Sequence, residues 1–117
     1  MCLSINSAFT QSGNSLAPIK TIVVPDFAQP HVKAFYIEYS NHLLKCIKAI
    51  REKDEAKTTK LFKSPGEALV KQSRTIEKQV IINAVEKQKW MQYAAQVYPY
   101  IKELEASAYY QKLYGKE

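Results

Sequence analysis

The chain has 117 residues, enough for one domain with a single core, which excludes an elaborate multidomain enzyme. Hydrophobic residues make up 46% and charged residues 24%, a globular composition that argues against a disordered or fibrous protein. The net charge is +6, and three glycines are too few for the many tight turns of a β-sandwich or barrel.

The first twenty residues show no helical periodicity and are rich in Ser, Asn, Gln and Gly. We interpret residues 1–20 as a flexible linker or the remnant of a signal peptide, because Ala8 and Thr10 are small residues placed for cleavage before Gln11. This interpretation favours a periplasmic or secreted protein whose start lies upstream of Met1. A cytoplasmic protein with a flexible N-terminus is the alternative.

Residues 21–29 contain the β-branched run of the chain, at positions 21–24, with prolines before and after it. This composition predicts an extended segment. Because the sequence offers no second strand to pair with it, we expect the segment to lie across apolar helix faces or to extend a partner's sheet.

From Pro30 onward the pattern is that of an amphipathic helix, with the proline in its first turn. Cys46 falls on the apolar stripe, so we expect it to be a core residue. The stripe lapses after residue 50, and Asp54 is a suitable N-cap for a short second helix. The apolar positions of the first helix are Val32, Phe35, Tyr36, Tyr39, Leu43, Cys46, Ile47 and Ile50.

The stretch Ser-Pro-Gly-Glu at residues 64–67 has the pattern of a capping box, in which Ser64 and Glu67 each accept a hydrogen bond from the other's backbone N–H. It predicts that a helix begins at Pro65 and runs unbroken to Val97. Within this helix, residues 80–85 are apolar on nearly every side and are predicted to be the most buried.

Tyr98-Pro99 is predicted to kink or end the long helix, and a last helix is predicted to stop at Gly115. The elements together predict an all-α protein: an antiparallel helical hairpin or a small three- to four-helix bundle with an extended N-terminal segment. Residues 30–117 would form the single helical domain. A helix over 65–97 would be longer than the first helix, which could cover only part of it. The uncovered part must then pack on the last helix, the extended segment or a second copy of the chain.

The sequence contains no nucleophile elbow, P-loop, dinucleotide fingerprint or paired-cysteine metal spacing. Glu38 and His42 share a helix face, but no third metal ligand follows at a recognisable spacing. We therefore predict a protein that is not an enzyme and that has no catalytic, cofactor-binding or metal-binding residues. The sequence also lacks a run of roughly 18 apolar residues that would span a membrane.

The basic excess is confined to residues 45–89, where twelve basic residues face six acidic ones. Lys71, Arg74 and Lys78 are the candidate surface for an anionic partner, and a solvated helix face is the simpler alternative. Ten of the twelve are lysines and the two arginines lie far apart, which argues against recognition of nucleic acid by arginine forks.

Eight tyrosines are many for this length, and six of them follow Trp90. Aromatic side chains with polar tips suit interfaces, whereas the alternative is that these rings fill the core of the bundle. The aromatic and basic clusters are separate in the sequence, which counts against stacking on nucleic-acid bases. The candidate protein-interaction surface is Tyr93, Tyr98, Tyr100, Tyr109 and Tyr110.

With the charged joint at residues 53–57, the predicted capping box and the Tyr-rich tail, residues 30–113 resemble the small exported all-helical proteins of bacteria that have no assigned function. The resemblance implies export and the absence of catalysis, and it transfers no active residues. Our leading hypothesis is a non-enzymatic protein-interaction or chaperone-like protein, which binds a protein partner or a second copy of itself. The alternative is a cytoplasmic nucleic-acid-binding accessory protein that uses residues 45–89.

Overall fold

The computed structural model describes residues 18–115, and within that range every regular element is helical. The prediction of a small all-α bundle is therefore confirmed. The suggested cleavage site and Cys2 lie outside the described residues, as do residues 116–117 of the predicted domain. The helices are α1 (Pro30–Arg51), α2 (Glu55–Leu61), α3 (Glu67–Ile81), α4 (Ala84–Ala106) and α5 (Ala108–Tyr114), and a wide π-helical turn, Phe62–Gly66, joins α2 to α3.

Helix α1 supplies the centre of the core, because its apolar stripe is covered by α3 and α4. The predicted place of Cys46 in the core is confirmed, since only 1% of it is exposed. The Ser40 side chain is polar and buried in this core: its hydroxyl donates to the Tyr36 carbonyl and is 2.7 Å from the Tyr93 hydroxyl. The main core residues are Val32, Phe35, Tyr36, Leu43 and Ile47 of α1, Leu69, Ile76 and Val80 of α3, and Tyr93, Val97 and Tyr100 of α4.

Residues 18–29 form an extended segment, which we call the strap, that lies along α4. Its side chains Ile22 and Val24 pack against the core, and Phe27 is buried within it. The strap thus corresponds to the first of the two predicted placements, across apolar helix faces.

Helix α1 ends in a turn whose left-handed residue is Lys53, with a φ of 59°. The Asp54 N–H donates to the Ala49 carbonyl and the Lys53 N–H to the Ile50 carbonyl, each at 3.0 Å, which is the Schellman pattern of helix ends. The Asp54 carboxylate then accepts from the Lys57 N–H at 3.1 Å, so the predicted N-cap of the second helix is confirmed.

We expect Lys53→Gly to stabilise the protein by about 1 kcal/mol, because a left-handed backbone costs an ordinary residue roughly 1–2 kcal/mol and glycine much less. Urea unfolding followed by circular dichroism measures the difference. Lys53→Ala is the matched control: it also removes the long side chain but keeps the Cβ and its strain. A glycine variant no more stable than the alanine variant would contradict this account.

The prediction of an unbroken helix over 65–97 is wrong, because the chain leaves the helix at Ile82 and Asn83. The Asn83 side-chain oxygen accepts from the N–H groups of Val85 and Glu86, at 2.9 and 3.0 Å, and so caps α4. The predicted burial of residues 80–85 is also wrong beyond Val80. The turn leaves Ile82 85% exposed and Val85 65% exposed.

The predicted capping box at residues 64–67 is wrong in its bonding, since neither of its two hydrogen bonds occurs among the described residues. Ser64 has extended backbone angles inside the wide turn (φ −147°, ψ 116°). The Glu67 carboxylate instead accepts from the Tyr114 hydroxyl at 2.7 Å. A tertiary contact with α5 has therefore replaced a local cap.

Helix α4 continues through Pro99 and ends at Ala106, so of the two predicted outcomes at Tyr98-Pro99 the helix end is wrong, and a kink there stays a prediction. The break comes at Ser107, whose hydroxyl accepts from the Tyr110 N–H at 3.2 Å and caps α5. The predicted stop of the last helix at Gly115 is confirmed.

Candidate functional site

A solvent-open cleft of about 610 Å³ lies between α1, the wide turn, α3, α4 and α5. This volume is within the range, roughly 300–1,000 Å³, of pockets that take small ligands or a partner's side chains. Most of its wall is apolar, so we call it the apolar cleft. The apolar wall consists of Tyr39, Leu43, Cys46, Phe62, Leu69, Val70, Ile101, Leu104, Tyr110 and Tyr114.

The wide turn forms one wall of the apolar cleft, and at Gly66 it passes close to the carbonyl at the end of α2 and to a side chain of α1. A Cβ at Gly66 would lie 2.7 Å from the Leu61 carbonyl oxygen and 3.3 Å from His42 Nε2. The first distance is too short for any side chain, so this wall requires glycine. Beside it, the Phe62 ring packs against Tyr110 and Tyr114, with ring centroids 6.1 and 6.4 Å away.

The rim of the apolar cleft carries charges of both signs. Lys71 and Arg74 lie three residues apart on α3 and are exposed to solvent. Glu67 and Glu105 lie on the same rim, and the first of these accepts the Tyr114 hydroxyl bond. The rim therefore offers two cations to a ligand while two carboxylates limit its attraction for a polyanion.

His42 and Cys46 form the polar part of the wall, with His42 Nε2 3.4 Å from Cys46 Sγ. Burial raises the pKa of the Cys46 thiol to about 12. Burial, with the nearby Lys45 charge, lowers the pKa of His42. The neutral forms are therefore favoured at pH 7, and the pair lacks the thiolate that a nucleophilic cysteine needs.

Three of the predicted site residues line the apolar cleft: Lys71, Arg74 and Tyr110. Lys78 is exposed on the same helix but does not line the cleft. The predicted basic surface is therefore divided between the cleft rim and an adjoining part of α3.

The other predicted tyrosines lie elsewhere. Tyr93 and Tyr100 are 2% and 7% exposed and belong to the core. For these two rings the alternative prediction, that they fill the core of the bundle, is confirmed. Tyr98 is 59% exposed on α4, with Lys102 Nζ 5.5 Å from its ring centroid. Tyr109 is half-buried. The tyrosine cluster of the sequence is thus distributed between core, cleft and surface.

Sequence reasoning missed His42, Gly66 and Glu105 as members of this site. His42 lies one turn before Cys46 on the first helix, a spacing that the sequence shows, but it was considered only as a metal ligand. Glu105 is more than sixty residues from His42 along the chain, and no local pattern connects them. Within residues 18–115, His, Cys, Asp and Glu side chains form no group of three that could hold a metal ion.

No protein-family model, curated protein or solved structure matches the chain. None of the helices within residues 18–115 has both the length and the apolar character needed to cross a membrane.

Proposed function

We propose that the protein is a non-enzymatic protein-interaction module whose apolar cleft takes up apolar side chains of a partner segment. The observation that carries the proposal is the combination of an open apolar cavity with two exposed cations, Lys71 and Arg74, on its rim. Burial of apolar surface supplies attraction, at about 25 cal/mol per Å². Lys71 and Arg74 select partners with a few acidic residues beside their apolar ones, whereas Glu67 and Glu105 on the same rim disfavour a continuous run of negative charge.

The alternative of nucleic-acid binding has less support from the same rim. Glu67 and Glu105 would repel a phosphate backbone that approached Lys71 and Arg74. The aromatic rings at the cleft also pack on one another, with the Tyr110 and Tyr114 centroids 5.2 Å apart. Rings engaged in this way are poor platforms for stacking bases.

Compartment and assembly remain part of the proposal on sequence grounds alone. The small residues Ala8 and Thr10 before Gln11 favour export to the periplasm or the medium, and a cytoplasmic protein is the alternative. Association of two copies is an alternative to a separate protein partner.

Two synthetic amphipathic helical peptides with the same leucine pattern, one flanked by glutamates and one by lysines, test the proposal by fluorescence anisotropy. We expect the wild-type protein to prefer the glutamate peptide, because its carboxylates meet Lys71 and Arg74. Lys71→Glu/Arg74→Glu should reduce that preference by about tenfold, since exposed charge contacts contribute roughly 0.2–1 kcal/mol each.

Lys78→Glu is the matched control, because Lys78 is an exposed cation of the same helix outside the cleft. It should behave as the wild type does. Val70→Glu places a charge on an exposed part of the cleft wall and should weaken the glutamate peptide further. Equal affinity for both peptides, or an equal effect of Lys78→Glu, would contradict the proposal. Tighter binding of a single-stranded oligonucleotide would favour the alternative.

A further inference from the structure

The strap is attached to α4 through its main chain. The Gln96 side-chain amide makes two hydrogen bonds to Val23, donating to its carbonyl and accepting from its N–H, both at 2.8 Å. The Tyr100 hydroxyl accepts from the Lys20 N–H at 2.8 Å and is 3.2 Å from the Pro18 carbonyl. These hydrogen bonds are made to the backbone of the strap and not to its side chains.

The same kind of contact continues toward the other end of the strap. The Glu86 carboxylate accepts from the Ala28 N–H, and the Lys89 ammonium donates to the Asp26 carbonyl, both at 2.9 Å. The ammonium also bonds to Glu86 at 3.1 Å, which fixes both groups in place. The side chains at positions 86, 89, 96 and 100 of α4 are therefore all directed at main-chain atoms of the strap.

The α4 residues involved occur at helical spacing. Positions 86, 89, 93, 96 and 100 are separated by three or four residues, so they lie on one face of the helix, with buried Tyr93 at its middle. We call this face the α4 groove. The strap runs along it in the opposite direction, because residue 20 meets Tyr100 and residue 28 meets Glu86.

The strap contributes apolar side chains at alternate positions, as an extended chain does. Ile22 and Val24 pack toward the core, whereas Val23 between them is 67% exposed. The occupant of the α4 groove thus offers a main chain for hydrogen bonding and apolar side chains two residues apart, followed three residues later by the buried ring of Phe27.

We propose that the α4 groove is a binding site for an extended segment of another polypeptide with this alternating apolar pattern, and that the strap occupies it in cis. Hydrogen bonds to the main chain tolerate many sequences, as they do where a peptide adds to an exposed sheet edge. The strap acts as a built-in competitor, because its tether gives it a high effective concentration. This site is separate from the apolar cleft, so the inference does not depend on the function proposed above.

A fluorescein-labelled peptide with the sequence of residues 18–29 is the probe, and the full chain is the receptor. In wild type the tethered strap competes, so binding should be weak. In Ile22→Asp/Val24→Asp the strap loses the apolar contacts of these two side chains and keeps that of Phe27. We expect the peptide to bind this variant at least about tenfold more tightly. Val23→Asp is the matched control: its side chain points to solvent, so it should bind the peptide as weakly as wild type does.

Adding Gln96→Ala to the strap-weakened variant removes the two hydrogen bonds from Gln96 to the main chain of the bound segment. Peptide affinity should then fall by about tenfold, which cancels most of the gain. A scrambled peptide without the alternating pattern should bind poorly to every variant. If the aspartate variant is not helical by circular dichroism, Ile22→Ala/Val24→Ala replaces it. The alanine variant should likewise bind the peptide more tightly than the wild type and Val23→Asp do. Lys71→Glu/Arg74→Glu should leave peptide binding unchanged.

Equal binding to wild-type and strap-weakened protein would overturn the proposal and make the strap a fixed part of the fold. So would a gain that Gln96→Ala leaves intact, because the peptide would then bind elsewhere. Sedimentation of the wild-type protein and of Gln96→Ala measures the oligomeric state. A concentration-dependent wild-type dimer that Gln96→Ala abolishes would mean that the α4 groove binds the strap of a second copy instead.

Discussion

Val80→Asp is expected to unfold the domain, whereas Val85→Asp, five residues further on, is expected to leave it folded. Val80 is 2% exposed at the end of α3 and belongs to the core. An unpaired carboxylate there costs several kcal/mol, a large share of a total stability of roughly 5–15 kcal/mol. Val85 is mostly exposed in the first turn of α4, where a negative charge interacts favourably with the helix dipole.

Far-UV circular dichroism and urea unfolding distinguish these outcomes. Val80→Asp should lose most of its helical signal in the absence of urea, and Val85→Asp should unfold within about 0.5 kcal/mol of the wild type. Val80→Ala is a control that removes contacts without adding charge, and it should be weakened but folded. Unfolding of both aspartate variants would mean that residues 80–85 are buried together, as the sequence pattern alone predicted.

The first helix was predictable because its signals agree with one another. Its apolar stripe persists for about five turns. Pro30 suits the start of this helix, and Asp54 marks the start of the next helix. The break at residues 82–83 was missed because apolar residues lie on both sides of it, and periodicity cannot distinguish a buried helix from an exposed apolar turn there. Yet Asn83 followed by Glu86 at the third helical position is itself a helix-start pattern.

Ser64 followed by Glu67 has that same spacing, but the capping box that it predicted does not form. The Glu67 carboxylate has a partner from a distant part of the chain, the Tyr114 hydroxyl, which no local pattern could announce. Short capping signatures are therefore ambiguous when a tertiary hydrogen bond competes for the same side chain. Only the packing of α5 decides between the two.

Part of the candidate site was also predictable from the sequence, and part depended on how the helices pack. Lys71 and Arg74 could be found because exposed charges on one helix face are visible in the sequence. The apolar cleft itself depends on how α1, α3, α4 and α5 are arranged, and its wall combines residues from position 39 to position 114. The α4 groove was equally hidden, because its polar residues recognise main-chain atoms that every sequence contains.

The second large change in stability is expected on substitution of a buried tyrosine of the cluster. Tyr93→Ala should destabilise the protein by about 3–5 kcal/mol, the cost of removing a large aromatic side chain from a core. The Tyr93 ring lies 4.7 Å from that of Tyr36, and its hydroxyl is 2.7 Å from Ser40 Oγ, so the variant loses packing and leaves a cavity. Tyr98→Ala should change stability by no more than about 0.5 kcal/mol, since most of the Tyr98 ring is in solvent.

Urea unfolding of both variants measures the contrast, and Tyr93→Phe separates ring from hydroxyl. Phenylalanine keeps the packing, and Ser40 still has the Tyr36 carbonyl at 2.7 Å as acceptor, so this variant should cost only about 1 kcal/mol. Comparable losses at Tyr93 and Tyr98 would place both rings in the core and contradict the fold. With the expected result, Tyr98→Ala becomes a surface variant that keeps its stability, so any loss of partner binding it causes can be assigned to the interface.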